Sequence, residues 1–237
     1  MQGFGWPENA QAAISLTYDG GLPEHLHLAH PILHILRLPA TFYMSATYFL
    51  DNPRAWAKVA EQGNEIGNHS LFGVAGERGE LPNWTIDMVQ ADLRDTETLL
   101  RDYVPDAEPR SFAYPGDMPM CADGSYEAVV EATFPFARTS QEGFNHAVFV
   151  NPCKLLSFRT EGRSGAGLVE IVEEAAELGA WLILATEQIG SSRHALAEQD
   201  QETLLRHLST NRERFHLAPV REVGKIVVEK RRDMLIP

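Results

Sequence analysis

The chain has 237 residues, with 33 acidic and 20 basic side chains and a formal net charge of −13. Apolar residues make up 44% and charged residues 22%, ordinary globular usage that excludes a disordered tail, and a chain this long buries a large core without disulfide staples. A surface this negative repels phosphate backbones and anionic membranes, so no nucleic-acid or membrane partner is expected.

The length admits one domain or two, and α/β barrels of this size are single domains. Cys121 and Cys153 are too few for a disulfide framework and suit a reducing compartment. The first residues show no charged start followed by an apolar run, so a cytoplasmic location is expected. No stretch approaches about 18 consecutive apolar residues, the length a membrane span needs. The basic tail residues Lys225, Lys230, Arg231 and Arg232 read as the solvated face of a last helix.

In chain order, residues 12–18 read as a buried strand ending in Asp19-Gly20-Gly21, and residues 23–36 as a helix. Residues 40–45 are β-rich, residues 53–62 are helical and stop at Gly63, and residues 65–68 form a short strand running into His69. Ile86, Val89, Leu93, Thr96 and Leu100 follow helical spacing from Thr85 onward. A strand over 110–114 ends at Pro115-Gly116; a helix over 125–132 and strands over 134–139 and 155–158 follow. Residues 168–178 read as a helix closed by Gly179, residues 181–186 as a strongly apolar strand, and residues 199–215 as a helix. Residues 217–220 read as one more strand before the basic helix.

Strands alternating with helices imply parallel strands joined by right-handed crossovers. The reading is α/β: a single distorted (β/α)7-type barrel domain over residues 1–237. The alternative, a doubly wound open sheet, calls for a glycine-rich phosphate loop after the first strand. Asp19-Gly20-Gly21-Leu22-Pro23 lacks that spacing. Chemistry in such barrels gathers at the C-terminal strand ends, which here carry Asp19, His69, Tyr114-Pro115-Gly116-Asp117, Arg138 and Glu187.

These ends carry a family resemblance. Leu16-Thr17-Tyr18-Asp19-Gly20-Gly21 resembles the first motif of the polysaccharide deacetylases, the NodB-homology carbohydrate esterases. Gly63-Asn64-Glu65-Ile66-Gly67-Asn68-His69-Ser70 resembles the second motif, and Ser111-Phe112-Ala113-Tyr114-Pro115-Gly116 the third. Ala40-Thr41-Phe42-Tyr43, Phe136-Ala137-Arg138-Thr139 and Trp181-Leu182-Ile183-Leu184 are similar to other family strands, in family order. The resemblance implies a β/α barrel of about seven units that hydrolyses acyl groups on sugars with a divalent metal, usually zinc. It implies Asp19 as general base, His69 as a metal ligand, a Gly116 N–H in the oxyanion hole and Glu187 at the position of the late-strand general acid. Arg138 is expected to orient Asp19 or a substrate carboxylate.

Two family ligand positions hold glycine, Gly20 and Gly73, which leaves His69 as the single surviving ligand of the metal triad. A catalytic zinc wants about three protein donors. Replacement ligands would have to come from Asp19, Glu24, His25, Glu77, Asp117 or Glu187, so any divalent metal is expected to be weakly held or held by a rearranged site. Glu187 becomes a general acid if burial raises its pKa. His27, His30 and His34 share one helix face and read as surface or packing residues; His25, nearer the strand end, is kept as a candidate. Tyr18, Tyr114 and Trp84 are candidate sugar-contacting residues.

The expected activity is hydrolysis of a non-peptide carbon–nitrogen bond in an N-acylated sugar or oligosaccharide. The alternative is a non-catalytic carbohydrate-binding or regulatory homologue that keeps barrel and cleft but not the ion.

Overall fold

In a computed structural model, residues 4–71, 80–81, 83–106, 108–117 and 119–235 are described. Strand β1 (Ala12–Gly20) opens the main sheet. The helix expected over 23–36 forms without interruption; its His25–Ala29 stretch is π-type and runs directly into α1 (His30–Leu36). Then come β2 (Ala40–Met44), α2 (Ala46–Asp51), α3 (Pro53–Glu61) and β3 (Glu65–Asn68). Strand β4 (Glu80–Leu81) precedes the long helix α4 (Ile86–Tyr103), which Thr85 caps as its spacing predicts, accepting the Met88 N–H at 3.3 Å.

Strands β5 (Phe112–Ala113), β6 (Met120–Cys121) and β7 (Gly124–Ser125) follow, then α5 (Glu127–Thr133), β8 (Ala137–Arg138) and β9 (Phe158–Arg159). Helix α6 (Gly165–Leu178) ends at Gly179, whose φ of +63° is the left-handed stop expected there. Next come β10 (Trp181–Thr186) and α7 (Glu198–Thr210). Residues 199–215 are not one helix: the chain leaves the helix at Thr210 and re-enters the sheet as β11 (Phe215–Leu217). Helix α8 (Val220–Leu235) closes the described chain.

The main sheet is parallel, in the order β8-β5-β3-β2-β1-β10-β9, with β11 beside the start of β1. It curls into a half-barrel. Its two outer strands are joined by the irregular segment between them: Leu155 exchanges hydrogen bonds of 2.9 Å with Ala137 and Thr139 on one side, and Phe158 and Arg159 pair with Leu184 and Ala185 on the other. Strands β4, β6 and β7 form a separate small sheet.

Residues on a strand point alternately to opposite faces. On β1, Ala12, Ile14, Leu16 and Tyr18 join the apolar layer under the helices, with Phe42, Trp56, Leu182 and Leu184. Each fully buried side chain of this size contributes about 1.5–3 kcal/mol. The other face of β1 and its neighbours turns inward and is polar: Ser15, Thr17, Thr41, Tyr43, Glu65 and Ser111 are all buried. Gly67 makes room for the Tyr43 ring, because a Cβ there would come within 2.5 Å of it.

Candidate functional site

The inward polar residues form a column from the lower end of the half-barrel to its mouth. Ser111 Oγ donates to Glu65 Oε1 at 2.8 Å, and the Tyr43 hydroxyl lies 2.9 Å from Ser111 Oγ. The Arg138 guanidinium sits over the Tyr43 ring, 5.3 Å from its centroid. At the top, Arg138 donates from one Nη to both carboxylate oxygens of Asp19. Arg138 is 1% exposed and Asp19 16%, so this ion pair is nearly withdrawn from water on one side and meets the cleft on the other.

The cleft has a volume of about 440 Å³. Asp19, Ser45, Tyr48, His69, Glu187 and Gln188 are among its lining residues. Apart from Tyr48 on α2, they lie at or just after the ends of four separate strands, β1, β2, β3 and β10, as barrel geometry requires. His69 is fixed by a 2.9 Å contact of Nδ1 with the Ala113 carbonyl. That oxygen only accepts, so Nδ1 carries the proton. The turn holding His69 is pinned by α4: Asp92 accepts the Leu71 N–H at 2.8 Å, and Asn68 donates to Glu97 at 3.0 Å while accepting from the Ser70 N–H at 2.8 Å. Ser70 has a φ of +65°, and those hydrogen bonds hold its unfavoured conformation.

Electrostatics push the two cleft carboxylates apart. Burial acts to raise the Asp19 pKa, but the Arg138 charge, the nearby imidazole of His69, the Arg138 hydrogen bond and His25 outweigh it, and the carboxyl is held below its ordinary value. Glu187 is raised, by burial first and then by the negative charges of Asp19 and Glu161, against an opposing effect from Arg159. His25 is buried below the mouth, with Nε2 donating to the Glu187 carbonyl at 2.7 Å. Its pKa is lowered, burial being the main cause, so it stays neutral and anchors the backbone of Glu187.

Of the residues expected from the sequence, the structure brings Asp19, His69, Arg138 and Glu187 together. Arg138 hydrogen-bonds both carboxylate oxygens of Asp19. Tyr18 does not reach the cleft: it is 3% exposed, stacked on Phe42 with ring centroids 5.1 Å apart, because it lies on the helix-facing side of β1. Tyr114 is also 3% exposed and packs edge-on against Phe112. Trp84 packs against the cluster of Val89, Phe112 and Tyr126. Gly116, with a φ of +62°, is not among the residues lining the cleft. His27 and His34 face solvent, and His30 contacts Gln62 at 2.6 Å, which fits the surface role expected of that stripe. The sequence pointed only to the mouth and missed the polar column beneath it. The alternation of Ser15, Thr17, Thr41 and Tyr43 with apolar residues was the available signal.

The metal expected from the resemblance does not fit the described donors. Among the described residues, no three His, Cys, Asp or Glu side chains gather where an ion would sit. Both Asp19 oxygens are engaged by Arg138, His69 Nδ1 is committed to a carbonyl, and Gly20 offers no donor. A Cβ at Gly20 would find open space, meeting only Leu22 at 3.7 Å, yet its φ of +94° strains any other residue. Gly73, Glu77 and the side chain of Asp117 lie outside the described residues. Cys121 and Cys153 are not bonded to each other. Among the described residues, no helix is long and apolar enough to cross a membrane.

Comparison with known proteins places this geometry. Residues 7–118 match the family model described as polysaccharide deacetylase. A probable polysaccharide deacetylase from Pseudomonas aeruginosa PAO1 superposes with a TM-score of 0.70 at 10% identity, over 95% of this chain and 94% of that one. The peptidoglycan deacetylase PdaC from Bacillus subtilis gives 0.60 at 15% identity, over 95% and 96%. A CE4 family pseudoenzyme from Bacillus anthracis gives 0.58 at 15% identity, over 92% and 66%. No curated protein matches the sequence. Residues 7–118 are thus similar in sequence to the polysaccharide deacetylase family, and the chain shares the fold of these solved structures over nearly its whole length.

Proposed function

We propose that the cleft binds an N-acylated sugar and hydrolyses its carbon–nitrogen bond with the chain's own side chains. The observation that carries this reading is the convergence of Asp19, His69 and Glu187 on one cleft, with Arg138 hydrogen-bonded to Asp19. The Asp19 carboxyl is held below its ordinary value and the Glu187 carboxyl above it, a split that suits a charged partner and a proton donor. Water attacks the acyl carbon and gives its proton to the Asp19 carboxylate, with the His69 imidazole nearby. The carbon–nitrogen bond then breaks as Glu187 passes its proton to the leaving nitrogen. Arg138 holds Asp19 charged and in place throughout.

A second reading is favoured by a different observation. With Asp19 engaged by Arg138 and Gly20 lacking a side chain, the family's metal-driven water activation has no donor set among the described residues. The cleft would then bind the sugar without turning it over.

One assay separates the two: acetate release from N-acetylglucosamine oligomers, measured after chelator treatment and again with added zinc. Side-chain hydrolysis predicts turnover that survives the chelator and falls at least about 100-fold in Glu187→Gln. Binding without acetate release under both conditions establishes the second reading. Turnover that appears only with zinc overturns the proposed mechanism.

A further inference from the structure

A second cavity, of about 400 Å³, adjoins the first through Glu187 and Gln188. Its other walls include Arg159, Glu161, Arg193 and His194. We propose that this flank is a subsite for a single anionic group, phosphate or carboxylate, carried on the acylated sugar; the proposal rests on the sugar reading given above.

The chain as a whole is strongly acidic, so two guanidinium groups on one wall call for an explanation. Arg159 and Arg193 are both exposed. Among the described residues, neither has a carboxylate within ion-pair distance. Arg163 next door differs: it is paired with Glu142 at 2.5 Å. Arg193 Nε donates instead to His194 Nε2 at 2.8 Å, which turns an imidazole and a guanidinium toward one another. Two carboxylates line the flank: Glu161, whose Oε1 accepts the backbone N–H groups of Glu187 and Gln188, and Glu187, which Arg159 influences without an ion-pair contact.

The open guanidinium forks match the geometry of a phosphate or carboxylate, which they bind through paired charge-assisted hydrogen bonds. The global charge still repels a long polyanion. One anionic group on a small sugar sits within a Debye length of the two arginines, which narrows the substrate class to an acylated sugar bearing a single acidic substituent. The Arg159–Arg193 flank and the Asp19–Glu187 cleft share Glu187, so the acyl bond and the acidic group would lie on neighbouring parts of one molecule.

Calorimetric titration at low salt tests this with three probes: N-acetylglucosamine, N-acetylglucosamine 6-phosphate and N-acetylmuramic acid. At least one acidic probe should bind about tenfold or more tightly than the neutral sugar. The double variant R159Q/R193Q should lose that gain and keep the neutral sugar's affinity. A gain confined to the phosphate or to the carboxylate identifies which anion the flank takes. Equal affinities for all three probes, or a gain that survives R159Q/R193Q, overturns the subsite and leaves the sugar reading of the cleft standing. Failure of all three to bind overturns both.

Discussion

Two carboxylates sit at opposite ends of the same polar column and are treated in opposite ways. Glu65, at the lower end, is 2% exposed. It accepts from Thr41 Oγ1 at 3.0 Å, from Ser111 N at 2.9 Å and Oγ at 2.8 Å, and from the Arg221 N–H at 3.0 Å. Those donors come from β2, the start of β5 and the first turn of α8, so Glu65 ties the last helix to the sheet. Asp19, at the upper end, has one strong partner and an open side. A carboxylate whose oxygens are filled by hydrogen bonds from three elements is a structural joint. One held by a single buried cation beside water is set up to act on a ligand. Placement at the mouth or the base of the half-barrel decides which, in line with the division of barrels into a functional and a stabilising end.

The largest test of this contrast is Arg138→Met. It strips Asp19 of its partner and should cost about 3–5 kcal/mol in urea unfolding at pH 7. The double variant Arg138→Met with Asp19→Leu should recover much of that loss, because an apolar pair of similar volume replaces the ion pair. A single variant as stable as the wild type would show that the buried pair carries no such penalty.

Next comes Glu65→Ala, which leaves the Ser111 and Arg221 N–H groups without acceptors. It should destabilise by about 2–4 kcal/mol. Sugar affinity at the mouth should stay within about twofold of wild type, since Glu65 lies at the other end of the column. A lost ligand response with unchanged stability would reverse the assigned roles of the two ends.

Asp92 sharpens the comparison through pH. Burial pushes its carboxyl up to about 6, against the opposing hydrogen bonds from Leu71 and Ser70. A raised acid favours the fold while protonated, so its contribution is complete below about pH 3.9, the unfolded value, and lost as pH rises through about 6. Stability should therefore fall by about 2 kcal/mol between pH 4 and pH 8 from this group, and Asp92→Asn should flatten that slope. Urea midpoints across the range measure it.

The smallest effect belongs to Asp19 in acid. Its lowered pKa means that its contribution is present above about pH 3.9 and disappears as pH falls through the folded value. Asp19→Asn should reduce the acid-induced loss of stability below pH 4. An unchanged acid profile would mean that Arg138 does not hold the charged form.

Much of the fold was legible because its signals are local. The apolar run of β10, the helical spacing from Thr85 and the stop at Gly179 all needed only neighbours in sequence. The break inside residues 199–215 was not legible. It lies where the chain returns to the sheet as β11, and tertiary contact overrode helical periodicity there. At the site, the polar ends of apolar strands marked Asp19, His69, Arg138 and Glu187. Aromatic type misled for Tyr18 and Tyr114, because their strand faces, not their chemistry, decide what they touch.

Sequence alone determined the parallel α/β architecture, the family motifs and the loss of side chains at Gly20 and Gly73, since these follow from residue identity and short-range periodicity. Only the tertiary structure decided that Arg138, 119 residues from Asp19, is its partner, that Glu65 and not Asp19 locks the base, and that Arg159 and Arg193 flank the cleft with no ion-pair partner among the described residues. Long-range pairing of charges depends on which strand ends the curled sheet brings together, and no local pattern in a single chain encodes that distance.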